Sequence, residues 1–442
     1  MKFALFCIAL FCESLLAGNI SALPIDSAKN HIEFPAGDAS FTSFLGKMDS
    51  LLYMKEGSVN ILHLGGSHIQ ADIFSDRIRM RLVQDLPLPA ASRGFVFPYT
   101  AAKSNTPSSY ASRKRGHFKN EKSISRKRKN SVGITGFRVT AIDPESEIRI
   151  VLNPRKGKPK IWSFTKVRVF GEAKGPAEPV LKLSEDGERL SGMRDSVSGS
   201  FVFELSERAD SLILEFPWKD SAAIQTLADT LAVLDSAGKE ALFSNDAFFR
   251  QMPSFSLTGI VLSDTVPGLT YNSIGVNGAN LESYLSIEDF ERDLDFSRPD
   301  LVIFSIGIND ANVEKFNAEL FKARYDTLVY RVRKVSPNAA ILFMSNNDCY
   351  LTSAGKPNKN GILVAKAMRE LAESHQGGLW DLFHIMGGLG SIDAWFDEGF
   401  AQKDHVHFKA PGYEILGDLF FEALRELFFP DPEMTRLKGD AP

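Results

Sequence analysis

VNILHLGGSHIQADIFSDRIRMRLVQDL (residues 59–86) holds the first decision about this chain. Val59 to Leu64 is a run of strand formers that stops at two glycines, and a serine follows at once. Beyond it Ile69, Ile73, Ile78 and Leu82 approximate one helical face. Strand, glycine turn and helix in that order make the opening half of an α/β unit. Ser67 therefore stands either as a plain turn residue or as a hydroxyl held out at the end of a strand. Glycines at 65 and 66 allow the sharp turn that would expose it.

The same grammar returns between about residues 263 and 429. DLVIFSIG (300–307) and AAILFMS (339–345) are short apolar strands ending in polar loops. Amphipathic helices lie between and after them, the last opening with Pro411 near its first turn, where a missing N–H is harmless. Strands alternating with helices predict a mostly parallel sheet with helices on both faces. Residues 101–262 break the pattern with short, often alternating runs separated by turn residues, among them SEIRIVLN, GSFVFELSE and SFSLTGIVLSD. These predict an antiparallel β-sandwich or barrel inserted into a single α/β domain. The expected organisation is a leader over 1–22, the α/β domain in two segments (23–100 and 263–429), the all-β insert over 101–262, and a loose tail over 430–442.

The chain has 442 residues, 44% of them hydrophobic and 24% charged, which suits a soluble protein with sizeable cores. A formal net charge of −4 gives no reason to expect a nucleic-acid partner. Lys2 followed by the apolar run Phe3 to Phe11, and small residues near Ala22, has the form of a secretory signal peptide. Glu13 interrupts the run, so export is expected without stable membrane insertion once the leader is removed. Of three cysteines, only Cys349 lies beyond that leader, so the mature chain has no intramolecular disulfide; its thiol sits in a polar loop and reads as incidental.

The entry to the insert is basic. ASRKRGHFKNEKSISRKRKN (111–130) carries nine cations: Arg113, Lys114, Arg115, Lys119, Lys122, Arg126, Lys127, Arg128 and Lys129. The ordinary reading is a solvated loop, ordered or not. The sharper one is contact with an anionic polymer such as an acidic cell-wall glycan.

Hydrolysing an ester through a serine needs an exposed hydroxyl, a base, a group that orients the base, and donors for the oxyanion. KDHVHFKAPGYEILGD (403–418) places Asp404 three residues before His407, ahead of the final helix, a spacing that lets the carboxylate reach the ring. His405 would then point elsewhere. YNSIGVNGAN offers Gly278, whose N–H suits an oxyanion, and SIGINDAN offers Asn309 as a side-chain donor. Singly, each has a plain structural reading: a turn, a helix cap, an Asx-turn. His63, His68 and His405 lack the carboxylate-rich pattern of a metal site, and no metal or organic cofactor is expected.

In combination and order these blocks resemble those of the SGNH (GDSL-type) hydrolases, whose motifs are a G-D-S, a glycine loop, a G-x-N-D and a C-terminal D-x-x-H. The corresponding stretches are GGSH at Ser67, GVNG at Gly278, GIND from Gly307 to Asp310, and DHVH from Asp404 to His407. The resemblance implies a three-layer α/β domain and gives roles: Ser67 as nucleophile, His407 as base, Asp404 as its orienter. The N–H groups of Ser67 and Gly278 and the Asn309 side chain would form the oxyanion hole. Gly66 departs from the family's usual Asp, a residue that supports the turn. His68 resembles the G-x-S-H variant of peptidoglycan and polysaccharide O-acetylesterases, which are also similar in carrying a β-sandwich between the serine and glycine blocks, there resembling a carbohydrate-binding module. The implied activity is removal of O-acetyl groups from a polysaccharide. A lipase or lysophospholipase, an acyltransferase on the same triad, and a glycan-binding protein with a relict triad are the alternatives.

Overall fold

The computed structural model describes residues 20–88, 91–154, 161–264, 266 and 268–429. The leader read over 1–22 falls almost wholly outside that range, as does the tail read over 430–442.

Six parallel strands form the central sheet: β1 (Ser58–Gly65), β2 (Ala91–Ser92), β3 (Gly268–Gly275), β4 (Leu301–Ser305), β5 (Ala340–Met344) and β6 (Gly378–Trp380), in the order β2-β3-β1-β4-β5-β6. Its two faces follow from the period of two along each strand. Val59, Ile61, Leu301, Ile303, Leu342 and Met344 enter one core with the helices Ile73–Asp85 and Ala410–Phe428. Leu62, Leu64, Val302, Phe304, Ile341 and Phe343 enter the other, with the helices Ala318–Val335 and Asn360–Ser374. The chain is thus mixed α/β with helices over both faces of a parallel sheet, as the strand–helix grammar requires.

Between β2 and β3 the chain builds two antiparallel sheets. One of five strands includes Tyr110–Arg115, Glu147–Leu152 and Ser211–Glu215; one of seven includes Phe118–Lys122, Phe137–Ala141, Phe164–Lys174 and Ser254–Ser263. Ile148, Ile150 and Leu214 from the first share a core with Val167, Val169 and Phe255 from the second, and Phe216 stacks on Phe255 with centroids 5.4 Å apart. That core runs without a break into the face of the parallel sheet lined by Leu62 and Phe304.

Two details differ from the sequence reading. The insert also carries helices, at Ser221–Ala232, Ser236–Ser244 and Asp246–Phe249. Each is capped by a side chain preceding it: Asp220, Asp235 and Asn245 accept from the first free N–H groups. The basic run is not a loop throughout. Tyr110–Arg115 and Phe118–Lys122 are edge strands, one on each sheet, and an edge is where Lys and Arg discourage pairing with another chain.

Candidate active site

Gly65, the last residue of β1, pairs with Gly275 at the end of β3. A Cβ on Gly65 would lie 2.3 Å from Ile69 Cγ1, and one on Gly275 would lie 2.1 Å from the backbone nitrogen of Gln70. Only glycine at both positions lets the short helix Ser67–Gln70 fold down over the strand ends. Gly66 is different: a Cβ there would meet nothing nearer than Asn309 Nδ2 at 3.6 Å. The two glycines are alike in sequence, but only the first is demanded by space.

The last helix brings the second part of the site. Arg77 and Arg81, on the helix after Ser67, bind Asp418 at 2.8 and 2.6 Å, and Arg81 also binds Glu422 at 2.7 Å. The loop just before the last helix is closed by a bridge between Ala401 and Phe408. Within it Asp404 Oδ1 accepts from the N–H groups of Val406 and His407, both at 3.0 Å. Its Oδ2 lies 2.7 Å from His407 Nδ1, and His407 Nε2 lies 2.8 Å from Ser67 Oγ. A carboxylate, an imidazole and a hydroxyl from segments 340 residues apart in sequence thus form one hydrogen-bonded line. Burial would raise the Asp404 carboxyl, but the hydrogen bonds from the His407 N–H and ring and the Val406 N–H outweigh it and hold the group below its ordinary value. An ionised carboxylate at Nδ1 makes that nitrogen the proton carrier and leaves Nε2 free to accept from the serine.

Gly278 has φ +78°, in the left-handed region that favours glycine. Its neighbours' N–H groups are engaged, Asn277 with Gln70 Oε1 at 2.7 Å and Ala279 with the Val276 carbonyl at 3.0 Å. Asn309 Nδ2 donates to the carbonyl of Ala279 at 2.9 Å, so the amide is fixed beside Gly278 by one of its two hydrogens. Next to it Asp310 accepts from the N–H of Leu281 through both oxygens, at 3.2 Å, fastening the glycine turn to the G-x-N-D loop. Burial pushes the Asp310 carboxyl up to about 6.

In the sequence His68 is legible only as a motif variant. Its ring is enclosed, with Nδ1 2.7 Å from Tyr413 Oη and a centroid 5.1 Å from that of His407. Burial, aided by the nearby His407, pushes it down to about 3, so it stays neutral behind the line. His63 lies between Tyr271 and Ser305, and His405 stacks on Tyr350 with centroids 4.3 Å apart. The three histidines are separate, and among the described residues no group of three His, Cys, Asp or Glu is placed to hold a metal ion. Cys349 is buried and its thiol is pushed up to about 12 by that burial, which leaves it inert as a nucleophile.

A second polar cluster was not legible in sequence. Asp72 sits at 3% side-chain exposure between Arg79 and Arg93, each with a nitrogen at 2.6 Å. Ser75, Ser109 and Ser273 also donate to it. Burial would raise this carboxyl too, but the two guanidiniums hold it well below the usual range. The cluster ties the segment after Ser67 to β3 and to the start of the insert.

Residues 256–415 match the family model of the GDSL-like lipase/acylhydrolases. The match starts within the insert's last strand, Ser254–Ser263, and so omits β1, which leads to Ser67 and lies between β3 and β4 in the parallel sheet. No curated protein matches the chain. Among solved structures it is similar to a peptidoglycan O-acetylesterase at 22% identity and TM-score 0.66, over 90% of this chain and 99% of that one. A lipase/acylhydrolase from Enterococcus faecalis (19% identity, TM-score 0.29) covers 37% of this chain and 80% of its own. An acetyl xylan esterase (19%, 0.29) covers 36% and 81%. The long match reproduces both the parallel sheet and the β-rich insert, and so shows the fold. The chain thus matches the GDSL-like lipase/acylhydrolase family over residues 256–415 and shares the fold of the long structural match, its β-rich insert included.

Proposed function

We propose that the protein is an exported serine esterase that removes O-acetyl groups from a cell-wall or other polysaccharide. The observation that carries this reading is the line Asp404–His407–Ser67, with 2.7 and 2.8 Å steps. Ser67 Oγ attacks the acetyl carbonyl carbon as its proton passes to His407 Nε2. The oxyanion is met by the N–H groups of Ser67 and Gly278 and by the Asn309 amide hydrogen not used on Ala279. Collapse of the tetrahedral species breaks the bond to the sugar oxygen, which takes the proton from His407 and leaves as a hydroxyl. Water then gives a proton to the same nitrogen, attacks acetyl-Ser67, and releases acetate and the free serine. Asp404 orients the ring and stabilises the imidazolium in both halves. His68, neutral beside it, adds no competing charge.

The similar peptidoglycan O-acetylesterase supports an acetylated glycan as substrate. Export rests on Lys2 and the apolar run Phe3 to Phe11.

The test is Ser67→Ala. The variant should keep its fold and lose p-nitrophenyl acetate hydrolysis by about 10³-fold or more, and should release no acetate from acetylated glycans in mass spectrometry. Undiminished turnover in a folded variant overturns the mechanism. A preference for long-chain over acetyl esters overturns the substrate class.

A further inference from the structure

The basic run does not end far from the site. The strand Phe118–Lys122 pairs in register with Phe137–Ala141, and the chain between them, 123–136, is laid against the catalytic domain. Arg128 binds Glu288 and the carbonyl of Ser286, Ser131 Oγ donates to Asp289 at 2.6 Å, and the Ile134 N–H donates to Asp293 at 3.0 Å. At its start, Ile124 Cδ1 stands 3.9 Å from where a side chain on Gly278 would begin, and among the described residues no other outside Gly278's chain neighbours comes within 4 Å. The insert therefore forms a wall beside the glycine turn, held in place by hydrogen bonds from its own loop.

The charges on this wall are unequal. Lys119 and Lys129 are spent on Asp246, and Arg128 on Glu288. Arg126 and Lys127, two and three residues beyond Ile124, are exposed and have no partner among the described residues. Two solvated cations on a loop anchored at both ends make a fixed positive rim, and such a rim raises the local concentration of an anionic ligand. Resting on the esterase reading, we propose that Arg126 and Lys127 are specificity-determining residues that select an acetyl ester carried on a carboxylate-bearing glycan over one on a neutral glycan.

Binding is measured by calorimetry on the full chain with Ser67→Ala, so that nothing is turned over. The probes are acetylated oligogalacturonate and acetylated xylo-oligosaccharide of equal length. The anionic probe should bind about tenfold more tightly at low salt, with the ratio falling towards one at 0.3 M NaCl. Adding Arg126→Gln and Lys127→Gln should bring the ratio near one at low salt as well. Arg126→Lys with Lys127→Arg should retain the preference, separating charge from shape. A ratio that survives the neutralising pair, no preference at the start, or equal affinity for a DNA oligomer of the same charge overturns the proposal. Failure of the esterase reading shows separately, as absent p-nitrophenyl acetate hydrolysis by the chain with Ser67 intact.

Discussion

Asp72 and Asp404 are both carboxylates held below their ordinary range, and they do opposite things. Asp72 is closed in: two arginines and three serines converge on it, and its side chain is 3% exposed. Asp404 is 44% exposed, takes two backbone N–H groups on one oxygen, and turns the other to an imidazole whose far nitrogen meets a hydroxyl. The arginines on Asp72 turn their other nitrogens to further partners inside the fold, Arg79 to Ser273 and Arg93 to the Phe95 carbonyl. The donors on Asp404 lead on to Ser67 and to solvent. Depth of burial and density of hydrogen bonds mark the cluster that holds the structure together. A short line with an open end marks the one that can move a proton.

The comparison breaks most sharply at Asp404. Asp404→Asn should lower kcat for p-nitrophenyl acetate by about 10⁴-fold, because the ring loses its orienting charge and tautomer, while the urea midpoint stays near wild type. A loss under tenfold would mean that the carboxylate is dispensable. Asp72→Ala should reverse the pattern. With only Asp76, among the described residues, left near the two buried guanidiniums, 3.4 Å from Arg79, the loss should cost about 3–5 kcal/mol of stability, read from equilibrium unfolding, with kcat per folded molecule largely kept. If Asp72→Ala instead spares stability and kills turnover, the division between the two clusters is wrong. Asn309→Ala sharpens the open line further, with a fall of about 10²–10³ in kcat and little change in KM.

A smaller effect separates a third carboxylate from both. Asp310 is pushed up to about 6 from an ordinary 3.8. A folded-state value above the unfolded one gives stability that is fully present below about pH 4 and is lost as pH rises through about 6. Urea unfolding of wild type against Asp310→Asn should therefore shift by on the order of 3 kcal/mol in favour of the variant between pH 4 and pH 7. A pH-independent difference would show that the carboxyl is ionised throughout.

What could be seen in sequence follows from how local each signal is. Asp404 and His407 are three residues apart, so their meeting is a matter of one turn, and Ser67 announces itself by the strand and glycines before it. The parallel sheet was legible from apolar runs at the right spacing. The Asp72 cluster was not, because Arg79, Arg93, Ser109 and Ser273 are ordinary surface residue types until tertiary folding removes them from water. The strands at 110–122 were hidden for the opposite reason: an edge strand exposes so many of its side chains that its charges look like a loop. The helices at 221–249 did carry a signal, the caps at Asp220, Asp235 and Asn245, which the surrounding β pattern overshadowed.

One apolar core spans both the insert and one face of the parallel sheet, and this sets what can be taken away. A tethered accessory unit can be deleted and leave its partner standing. Here cutting out the β-rich insert would open the core it shares with the parallel sheet, and the two portions should melt in one transition. Trimming the chain to the part that matches the family model would yield neither an enzyme nor a fold.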